Sequence, residues 1–161
     1  MGIEIERKFL VVGESWRDHV TRHSALRQGY LSTNAKVTVR VRIVDEANAV
    51  LTLKGPTSGI SRAEFEYTIP LEEGRALLDL ARPNVVEKRR HIVPHAGLTW
   101  EVDVFEGSHA GLVMAEVELT SADQVVSLPD WAGQEVSHDD RYANASLSRS
   151  PGVPMPEPDA G

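Results

Sequence analysis

Pairs of like charges, spaced two residues apart, recur along the segments of this chain that alternate between apolar and polar residues. Three pairs are acidic and two are basic: Glu64/Glu66, Glu101/Asp103, Glu116/Glu118, Arg40/Arg42 and Lys88/Arg90. The opening segment IEIERKFL mixes the signs, with Glu4, Glu6 and Lys8 at the same spacing. Side chains at i and i+2 of a strand share one face and lie about 6.5–7 Å apart along it, so like charges repel unless an ion lies between them.

Carboxylate pairs combined with arginine and lysine pairs have the chemistry of a site for a metal-bridged polyphosphate. Magnesium prefers oxygen ligands and is usually bound by one or two carboxylates together with phosphate oxygens and waters. Arginine contacts phosphate oxygens in a bidentate manner. The chain has no GxxxxGK[ST] loop, no GxGxxG and no HExxH. Phosphates would therefore be held by side chains rather than by a glycine-rich backbone cradle.

The same alternation also fits a simpler interpretation, in which the charges are only solvated. A strand of an antiparallel sheet normally buries its apolar face and presents its polar face to water. A merely solvated face would mix Ser, Thr, Asn and Gln with the charges, whereas most strands here carry charge almost exclusively and of one sign. Periodicity alone does not decide between a solvated face and a charged lining.

Length and composition limit the class of protein. The 161 residues are 41% apolar and 25% charged, which predicts one domain with its own core. The net charge of −7 opposes binding to nucleic acid or to an anionic membrane. With no cysteine, disulfides and thiol chemistry are excluded. The chain shows no signal peptide and no apolar run of membrane-spanning length, which predicts a cytoplasmic protein. Nothing in the pattern distinguishes a monomer from a dimer.

The predicted fold class is mainly β (α+β), because strand periodicity dominates. The predicted strands are IEIERKFL, ALRQGYL, KVTVRVRIV, AVLTLKG, RAEFEYTIP, EKRRHIV, TWEVDVF and MAEVELT. The predicted helices are ESWRDHVTR, LEEGRALLDLAR (with Leu77, Leu78 and Leu80 inside), SADQVVSL and RYANASL. Eight antiparallel strands with few helices favour a barrel or a sandwich over residues 1–149. Residues 150–161 form a Pro-rich tail that is predicted to be disordered.

The ordered series of charged segments resembles the CYTH, or triphosphate tunnel metalloenzyme, superfamily. The opening Glu4-x-Glu6-x-Lys8 matches its ExExK signature, and the resemblance covers about residues 2–147. The other matching segments are QGYL, VRVR, LTLKG, SRAEFEY, EKRRH, WEVDVFEG, AEVEL and HDDRYANASL. The resemblance implies an eight-stranded antiparallel β-barrel with a charged tunnel inside, its apolar strand faces turned outward and covered by a few flanking helices.

The resemblance also implies a divalent cation, Mg²⁺ or Mn²⁺, and a role for each charged position. Glu4 and Glu6 would bind the metal that bridges the triphosphate, whereas Glu116 and Glu118, helped by Asp103, would hold a second metal or orient the attacking water. Phosphate oxygens would be held by Lys8, Arg40, Arg42, Lys54, Arg62, Lys88 and Arg90. Lys54 and Tyr30 match a catalytic lysine–tyrosine pair of small bacterial members. Glu66 and Glu101 would either bind metal or pair with a neighbouring arginine.

The implied reaction is metal-dependent hydrolysis of a small-molecule triphosphate, most similar to that of the inorganic tripolyphosphatases, which release phosphate and pyrophosphate. Class IV adenylyl cyclases and thiamine triphosphatases share the tunnel, but they also hold an organic group. The aromatic residues that would lie near an opening are Trp16, Tyr30, Phe65 and Tyr67. This scarcity favours a substrate with no base to stack. A module that binds polyphosphate or nucleotide without turnover is the non-enzymatic alternative, and the complete set of acids opposes it.

Overall fold

The computed structural model describes residues 2–34 and 36–155, and within them the chain forms nine strands, two α-helices and three short 3₁₀ helices. The strands are β1 (Gly2–Val11), β2 (Arg22–Thr33), β3 (Thr38–Val44), β4 (Asn48–Lys54), β5 (Ser61–Ile69), β6 (Val85–His95), β7 (Leu98–Phe105), β8 (Val113–Glu118) and β9 (Ala132–Glu135). The α-helices are α1 (Leu71–Ala81) and α2 (Asn144–Arg149), and the 3₁₀ helices are Ser15–His19, Gly107–His109 and Asp140–Tyr142.

Eight of these strands close into an antiparallel barrel, which confirms the predicted architecture. Their order around the barrel is β1-β5-β4-β3-β2-β6-β7-β8, and β8 returns to β1. The closing pairs place Glu4 opposite Arg62 on β5 and Lys8 opposite Glu116 on β8. Because every strand has a partner on both sides, the barrel wall has no open edge.

The ninth strand was not predicted from the sequence. Strand β9 pairs with the end of β1, where Val11 lies opposite Ala132. Its four residues, AGQE, are too few and too polar to show the alternation that identified the other strands.

The apolar faces of the strands turn mostly outward, and the buried apolar side chains form three clusters, two outside the barrel and one at an end of its interior. One cluster, outside β1, β7 and β8, contains Phe9, Trp16, Trp100 and Trp131. A second lies beneath α1 and contains Val41, Ile43, Ala49 and Leu78. The third lies inside the barrel at one end, where α2 covers it, and contains Val86, Phe105, Tyr142 and Leu147. With the apolar faces used for packing outside, the charged faces of the same strands are left inside.

Helix α1 confirms the predicted amphipathic helix, with one error in its buried face. Leu78 is buried and Leu77 is half-buried, but Leu80 is 75% exposed. Two residues correspond to about 200° of helical rotation, so Leu80 lies on the face opposite Leu78. Gly74 lets α1 approach the barrel closely, because a Cβ at this position would lie 2.4 Å from the Cβ of Ala49 on β4.

The helix predicted for SADQVVSL does not form. Instead, the side chain of Gln124 accepts hydrogen bonds from the backbone N–H and the hydroxyl of Thr120, and Ser121 donates to Asp123. Val125 is 93% exposed. A segment this short, with local hydrogen bonds and little apolar surface to bury, does not overcome the nucleation penalty of a helix.

The chain after β9 runs back over one end of the barrel. The predicted helix in RYANASL forms as the 3₁₀ turn Asp140–Tyr142 followed by α2. Residues 150–155 have no helix or strand, although the N–H of Gly152 donates to the carbonyl of Ser108. The disorder predicted for the rest of the tail, 156–161, lies outside the described residues, and the predicted domain boundary after 149 stays a prediction. Among the described residues, no helix has the length and apolarity needed to cross a membrane.

Candidate active site

A cavity of about 200 Å³ inside the barrel is lined almost entirely by charged side chains. The acids on its wall are Glu4, Glu6, Glu64, Glu66, Glu101, Glu116 and Glu118. The bases are Lys8, Arg40, Arg42, Lys54, Arg62, Lys88 and Arg90, and the polar neutral residues are Gln28, Tyr30, Thr38 and Asn144. Every residue predicted for the site lies on this wall except Asp103.

The signs of charge are partly separated between opposite sides of the barrel. On one side, Glu6 of β1 lies opposite Glu118 of β8, and Glu116 lies opposite Glu101 of β7. Strand β3 is four strands away from β8 in a barrel of eight, so its arginines face β8 across the interior. Arg40 and Arg42 therefore face the acids of β8 across the interior, whereas Lys8, Lys54 and Arg90 lie among the acids.

Lys54 connects two acids of neighbouring strands. Its Nζ lies 3.0 Å from both carboxylate oxygens of Glu4 and 3.3 Å from Glu64. Burial and the nearby Glu64 raise the pKa of Glu4, against the attraction of Lys54. Lys54 and Tyr30 both line the cavity, but the tyrosine hydroxyl accepts a hydrogen bond from Gln28. The structure therefore brings the expected pair to one wall with separate partners.

Glu6, Lys8 and Glu116 form a cluster in which two chemically identical carboxyls have opposite pKa shifts. Burial, followed by repulsion from Glu116, raises the pKa of Glu6 to about 7, although Lys8 opposes it. Burial also acts on Glu116, but the attraction of Lys8 and Arg90 outweighs it and lowers its pKa. Burial opposes the charge of Lys8, and Glu6 and Glu116 more than compensate, so the pKa of Lys8 is raised.

Asp103 lies behind the cavity wall and holds two of its cations. One carboxylate oxygen lies 2.6 Å from Nζ of Lys88, and the carboxylate also accepts two hydrogen bonds from Arg90. Burial would raise the pKa of Asp103, but Arg90 and Lys88 lower it far below its usual value. Burial lowers the pKa of Lys88 to about 8, against the attraction of Asp103. Its position outside the cavity separates Asp103 from the other predicted metal ligands.

Arg42 is a cation of the wall that has no carboxylate partner among the described residues. Its Nε donates to the neutral side chain of Gln28 at 2.9 Å, whereas Arg90 contacts Asp103, Glu101 and Glu116. Burial, together with Arg40 and Arg90, lowers the pKa of Arg42 to about 9. A buried guanidinium without a carboxylate partner has unsatisfied attraction for an anion.

Two further arginines complete the basic surface. Arg40 donates to the hydroxyl of Thr52, and its Nε is buried without a hydrogen-bond partner among the described residues. Arg62 donates to the carbonyl of Gly55 and to Thr38. Both side chains are held by neutral groups, which leaves their charge available to a ligand.

The acids of the cavity fit a divalent cation that is bound together with an anionic substrate. No group of three or more His, Cys, Asp or Glu side chains in residues 2–34 and 36–155 is arranged to hold a metal by itself. Magnesium seldom uses an all-protein cage and completes its shell with phosphate oxygens and water. Repulsion from Glu116 raises the pKa of Glu6. A cation bound between β1 and β8 would offset this repulsion.

Several residues of the wall were not assigned by sequence reasoning. Glu64 and Thr38 follow from strand alternation, since they are in phase with Arg62 and Arg40 on the same strands. Gln28 is completely buried and lies on the inward face of β2 beside Tyr30, so the same alternation identifies it. Asn144 comes from α2, outside the barrel strands, and periodicity gives no indication of it.

An eight-stranded antiparallel barrel with a charged interior is the architecture of a triphosphate tunnel protein. The chain belongs to the CYTH domain family, whose model matches residues 2–149.

Two relatives of this chain and one similar solved structure are named inorganic triphosphatase. The chain is 43% identical over 152 residues to an inorganic triphosphatase of Acetivibrio thermocellus, covering 94% of this chain and 96% of that protein. It is 35% identical over 151 residues to an inorganic triphosphatase of Nitrosomonas europaea, covering 91% and 97%. A crystal structure of an inorganic triphosphatase superposes with a TM-score of 0.68 at 35% identity, covering 91% of this chain and 95% of that one.

Proposed function

We propose that this protein is a divalent-metal-dependent triphosphatase that hydrolyses inorganic tripolyphosphate to pyrophosphate and orthophosphate. One observation carries the proposal: Arg40 and Arg42 lie across the cavity from Glu6, Glu116 and Glu118. Such a cavity is complementary to a polyphosphate with a bound cation. The relatives named inorganic triphosphatase match this chain over nearly their whole length, which supports the same reaction.

The metal-binding group in this proposal consists of four glutamates, Glu4 and Glu6 from β1 and Glu116 and Glu118 from β8. Mg²⁺ and Mn²⁺ are the preferred ions, because the donor set contains only carboxylate oxygens and no thiolate or imidazole. When bound, the cation supplies positive charge against the phosphate oxygens. Asp103 has both oxygens engaged by Lys88 and Arg90, so we assign it to holding these cations rather than to the metal.

The phosphate-binding group consists of Lys8, Arg40, Arg42, Lys54, Arg62, Lys88 and Arg90. Phosphoryl transfer depends mostly on positioning and charge neutralisation, so no nucleophilic side chain is required. In hydrolysis, a water oxygen forms a bond to the terminal phosphorus while the bond from that phosphorus to the bridging oxygen breaks, and pyrophosphate leaves. Glu118 lines the cavity without an ion-pair partner among the described residues, so it is the acid that we place beside the attacking water.

The lysine–tyrosine pair remains part of the proposal as residues that contact the substrate or the leaving group. Lys54 is held between Glu4 and Glu64, so a bound cation that takes over Glu4 would free Lys54 to contact phosphate. The hydroxyl of Tyr30 accepts from Gln28, which leaves its own proton free to be donated into the cavity.

The lining of the cavity favours an inorganic substrate. Of the described residues on its wall, Tyr30 alone is aromatic. Phe65 and Tyr67 are 44% and 56% exposed, but they lie on the outer face of β5, and Trp16 is buried in the outer core. The cavity therefore offers no exposed aromatic platform on which adenine or thiamine would stack.

The test is release of orthophosphate from tripolyphosphate, ATP, thiamine triphosphate and pyrophosphate, each with Mg²⁺, Mn²⁺ or EDTA. EDTA-sensitive release from tripolyphosphate that exceeds release from the others is the expected result. Preference for an organic triphosphate would contradict the proposed substrate. Formation of cyclic AMP from ATP, or binding without turnover of any of the four compounds, would contradict the proposed reaction.

A further inference from the structure

A neutral side chain, Gln28, connects three parts of the charged wall. Its Oε1 accepts from Nε of Arg42 at 2.9 Å, and its Nε2 donates to the hydroxyl oxygen of Tyr30 at 2.9 Å and to Oδ1 of Asn144 at 3.1 Å. Since an arginine has only donors, the carbonyl oxygen of Gln28 must face Arg42, and the orientation of the amide is fixed. Gln28 is fully buried, so water cannot replace these partners.

Asn144 is the partner that reaches the barrel from α2. Its Oδ1 accepts from Gln28 and also from Nζ of Lys88 at 2.9 Å. Two donors on one oxygen fix the orientation of this amide as well, with Nδ2 directed away from both. Asn144 lines the cavity, and both of its side-chain hydrogen bonds are made by Oδ1, so Nδ2 has no acceptor among residues 2–34 and 36–155. The N–H groups of a half-buried amide on a phosphate-sized cavity are therefore available to an anion.

The neutrality of Gln28 has a consequence for Arg42. Arg90 has three carboxylates around it, whereas Arg42 is held by an amide that fixes its geometry without cancelling its charge. Burial and neighbouring arginines already lower the pKa of Arg42, so an anion bound beside Arg42 would stabilise its charged form.

We propose that Gln28 and Asn144 are a pair that completes the phosphate site: Gln28 positions Arg42 and Asn144, and Nδ2 of Asn144 donates a hydrogen bond to a phosphoryl oxygen of the bound triphosphate. The inference rests on the proposed function, and it adds an uncharged donor from α2 to a site otherwise made by the strands. In this arrangement Gln28 is a positioning residue and Asn144 contacts the substrate.

The test compares Asn144→Asp and Asn144→Ala with the wild type in tripolyphosphate hydrolysis and in binding. Asn144→Asp keeps an oxygen acceptor for Lys88 and Gln28 but replaces the donor by a carboxylate oxygen, so we expect KM to rise at least tenfold while Tm stays equal or increases. Asn144→Ala removes the donor without adding charge, and we expect KM to rise about three- to tenfold. Asn48→Asp, an exposed position at the start of β4, is the control for the added charge and should leave KM unchanged.

Gln28 is tested by two substitutions of similar size. Gln28→Glu still accepts from Arg42 but neutralises it, so we expect a higher Tm together with at least tenfold weaker tripolyphosphate binding. Gln28→Met removes all three hydrogen bonds, and we expect KM to rise with a smaller change in kcat. A residue with only a packing role would not make the protein more stable and the substrate weaker at the same time.

Binding is also measured by isothermal titration calorimetry with tripolyphosphate in EDTA, where the result does not depend on turnover. Wild-type affinity in Asn144→Ala and Gln28→Glu would overturn the inference, provided that both variants unfold with cooperative transitions. A wild type that binds tripolyphosphate but does not hydrolyse it when Mg²⁺ or Mn²⁺ is supplied would contradict the proposed function alone, and weaker binding in the variants would still support the pair.

Discussion

At the residue scale, the cavity shows how position controls the charge of identical side chains. Glu6 and Glu116 are both glutamates with partly exposed side chains on adjacent strands, yet the pKa of Glu6 is raised to about 7 and that of Glu116 is lowered. The difference arises because Lys8, Arg90 and Lys88 all attract Glu116, whereas Glu6 is repelled by Glu116 and Glu4 and the attraction of Lys8 does not compensate. Carboxylates that repel each other are suited to bind a cation, and in the metal-free protein their repulsion lowers the free energy of unfolding.

Glu6→Gln should therefore stabilise the metal-free protein at neutral pH. The folded-state pKa of about 7 exceeds the ordinary value of 4.5, so the folded state binds more protons than the unfolded state between these values, and Glu6 reduces stability as pH rises from 4.5 to 7. We expect the free energy of unfolding of Glu6→Gln to exceed that of the wild type by about 1–3 kcal/mol above pH 7, with little difference below pH 4.5. Urea denaturation in EDTA at several pH values measures this difference.

The charge-matched control for Glu6→Gln is Glu106→Gln, an exposed position outside the cavity. A difference between Glu6→Gln and the wild type that stays constant from pH 4.5 to 8 would contradict the raised pKa. Glu6→Gln should also lose most of the stabilisation that the wild type gains from Mg²⁺ with tripolyphosphate, whereas Glu106→Gln should keep it.

Asp103→Asn should destabilise the fold more than any change of an acid on the cavity surface. Asp103 and Lys88 are both about 1% exposed, so removing the carboxylate leaves a buried ammonium unpaired, at a cost of roughly 3–5 kcal/mol. Glu101→Gln is the matched control, because Glu101 pairs with the same Arg90 but its side chain is 30% exposed, and we expect a loss of about 1 kcal/mol or less. Equal losses in chemical denaturation would contradict the anchoring role of Asp103.

At the element scale, the helices determine which side of each strand is inside. Helix α1 covers the outer faces of β3 and β4, and the tryptophan cluster covers those of β1, β7 and β8, whereas the cluster with Tyr142 and Leu147 closes one end of the barrel interior. Because the apolar faces are used up by this outer packing, the polar faces have only the interior left. The outer face of β5 is the exception, since Phe65 and Tyr67 remain exposed there.

Gly74→Ala should destabilise the protein although alanine is the better helix former. The new Cβ would lie 2.4 Å from the Cβ of Ala49 and 3.0 Å from Cδ1 of Ile43. We expect a loss of about 1–3 kcal/mol from overpacking, despite a gain of about 1 kcal/mol in helix propensity. Thermal denaturation of the single variant and of the Ala49→Gly/Gly74→Ala double variant measures the clash. Failure of the second substitution to recover any stability would show that close packing is not the cause.

At the scale of the whole molecule, closure of the barrel concentrates charge of both signs in a small volume. The pairing of β1 with β5 and β8 brings residues near the start of the chain against residues more than 50 and 100 positions later. Several of these charges are paired and several are not, so the empty cavity is less favourable than one that contains a cation and a polyanion.

Tripolyphosphate with Mg²⁺ should raise Tm in a concentration-dependent manner. Ligand that binds only the folded state contributes about 2.7 kcal/mol at a concentration 100 times its Kd. Calorimetry or dye-based denaturation with increasing ligand measures the shift, and EDTA should reduce it by removing the cation. Sodium sulfate at the same ionic strength is the control for screening, and an equal shift with sulfate would contradict specific binding in the cavity.

Alternation in the sequence predicts the eight strands of the barrel, their charged faces and most of the cations and acids that line the cavity. Alternation with a period of two is a local property, so Glu4, Glu6 and Lys8 could be assigned to one face without any tertiary information. The same alternation places Gln28 on one face with Tyr30, but a neutral amide carries no charge that would indicate a polyphosphate site. Strand β9 and the irregular segment after β8 were missed because their short, polar sequences have no clear period.

Only the tertiary structure decided which face is inside and which charges meet. Periodicity is symmetric with respect to the two faces of a sheet, and the choice depends on the packing of α1 and the tryptophans against the outer wall. Asp103 alternates in phase with Glu101, yet it lies behind the wall because Lys88 and Arg90 enclose it. Asn144 reaches the cavity from a helix that is distant in sequence, a contact that follows from closure of the fold and not from any local pattern.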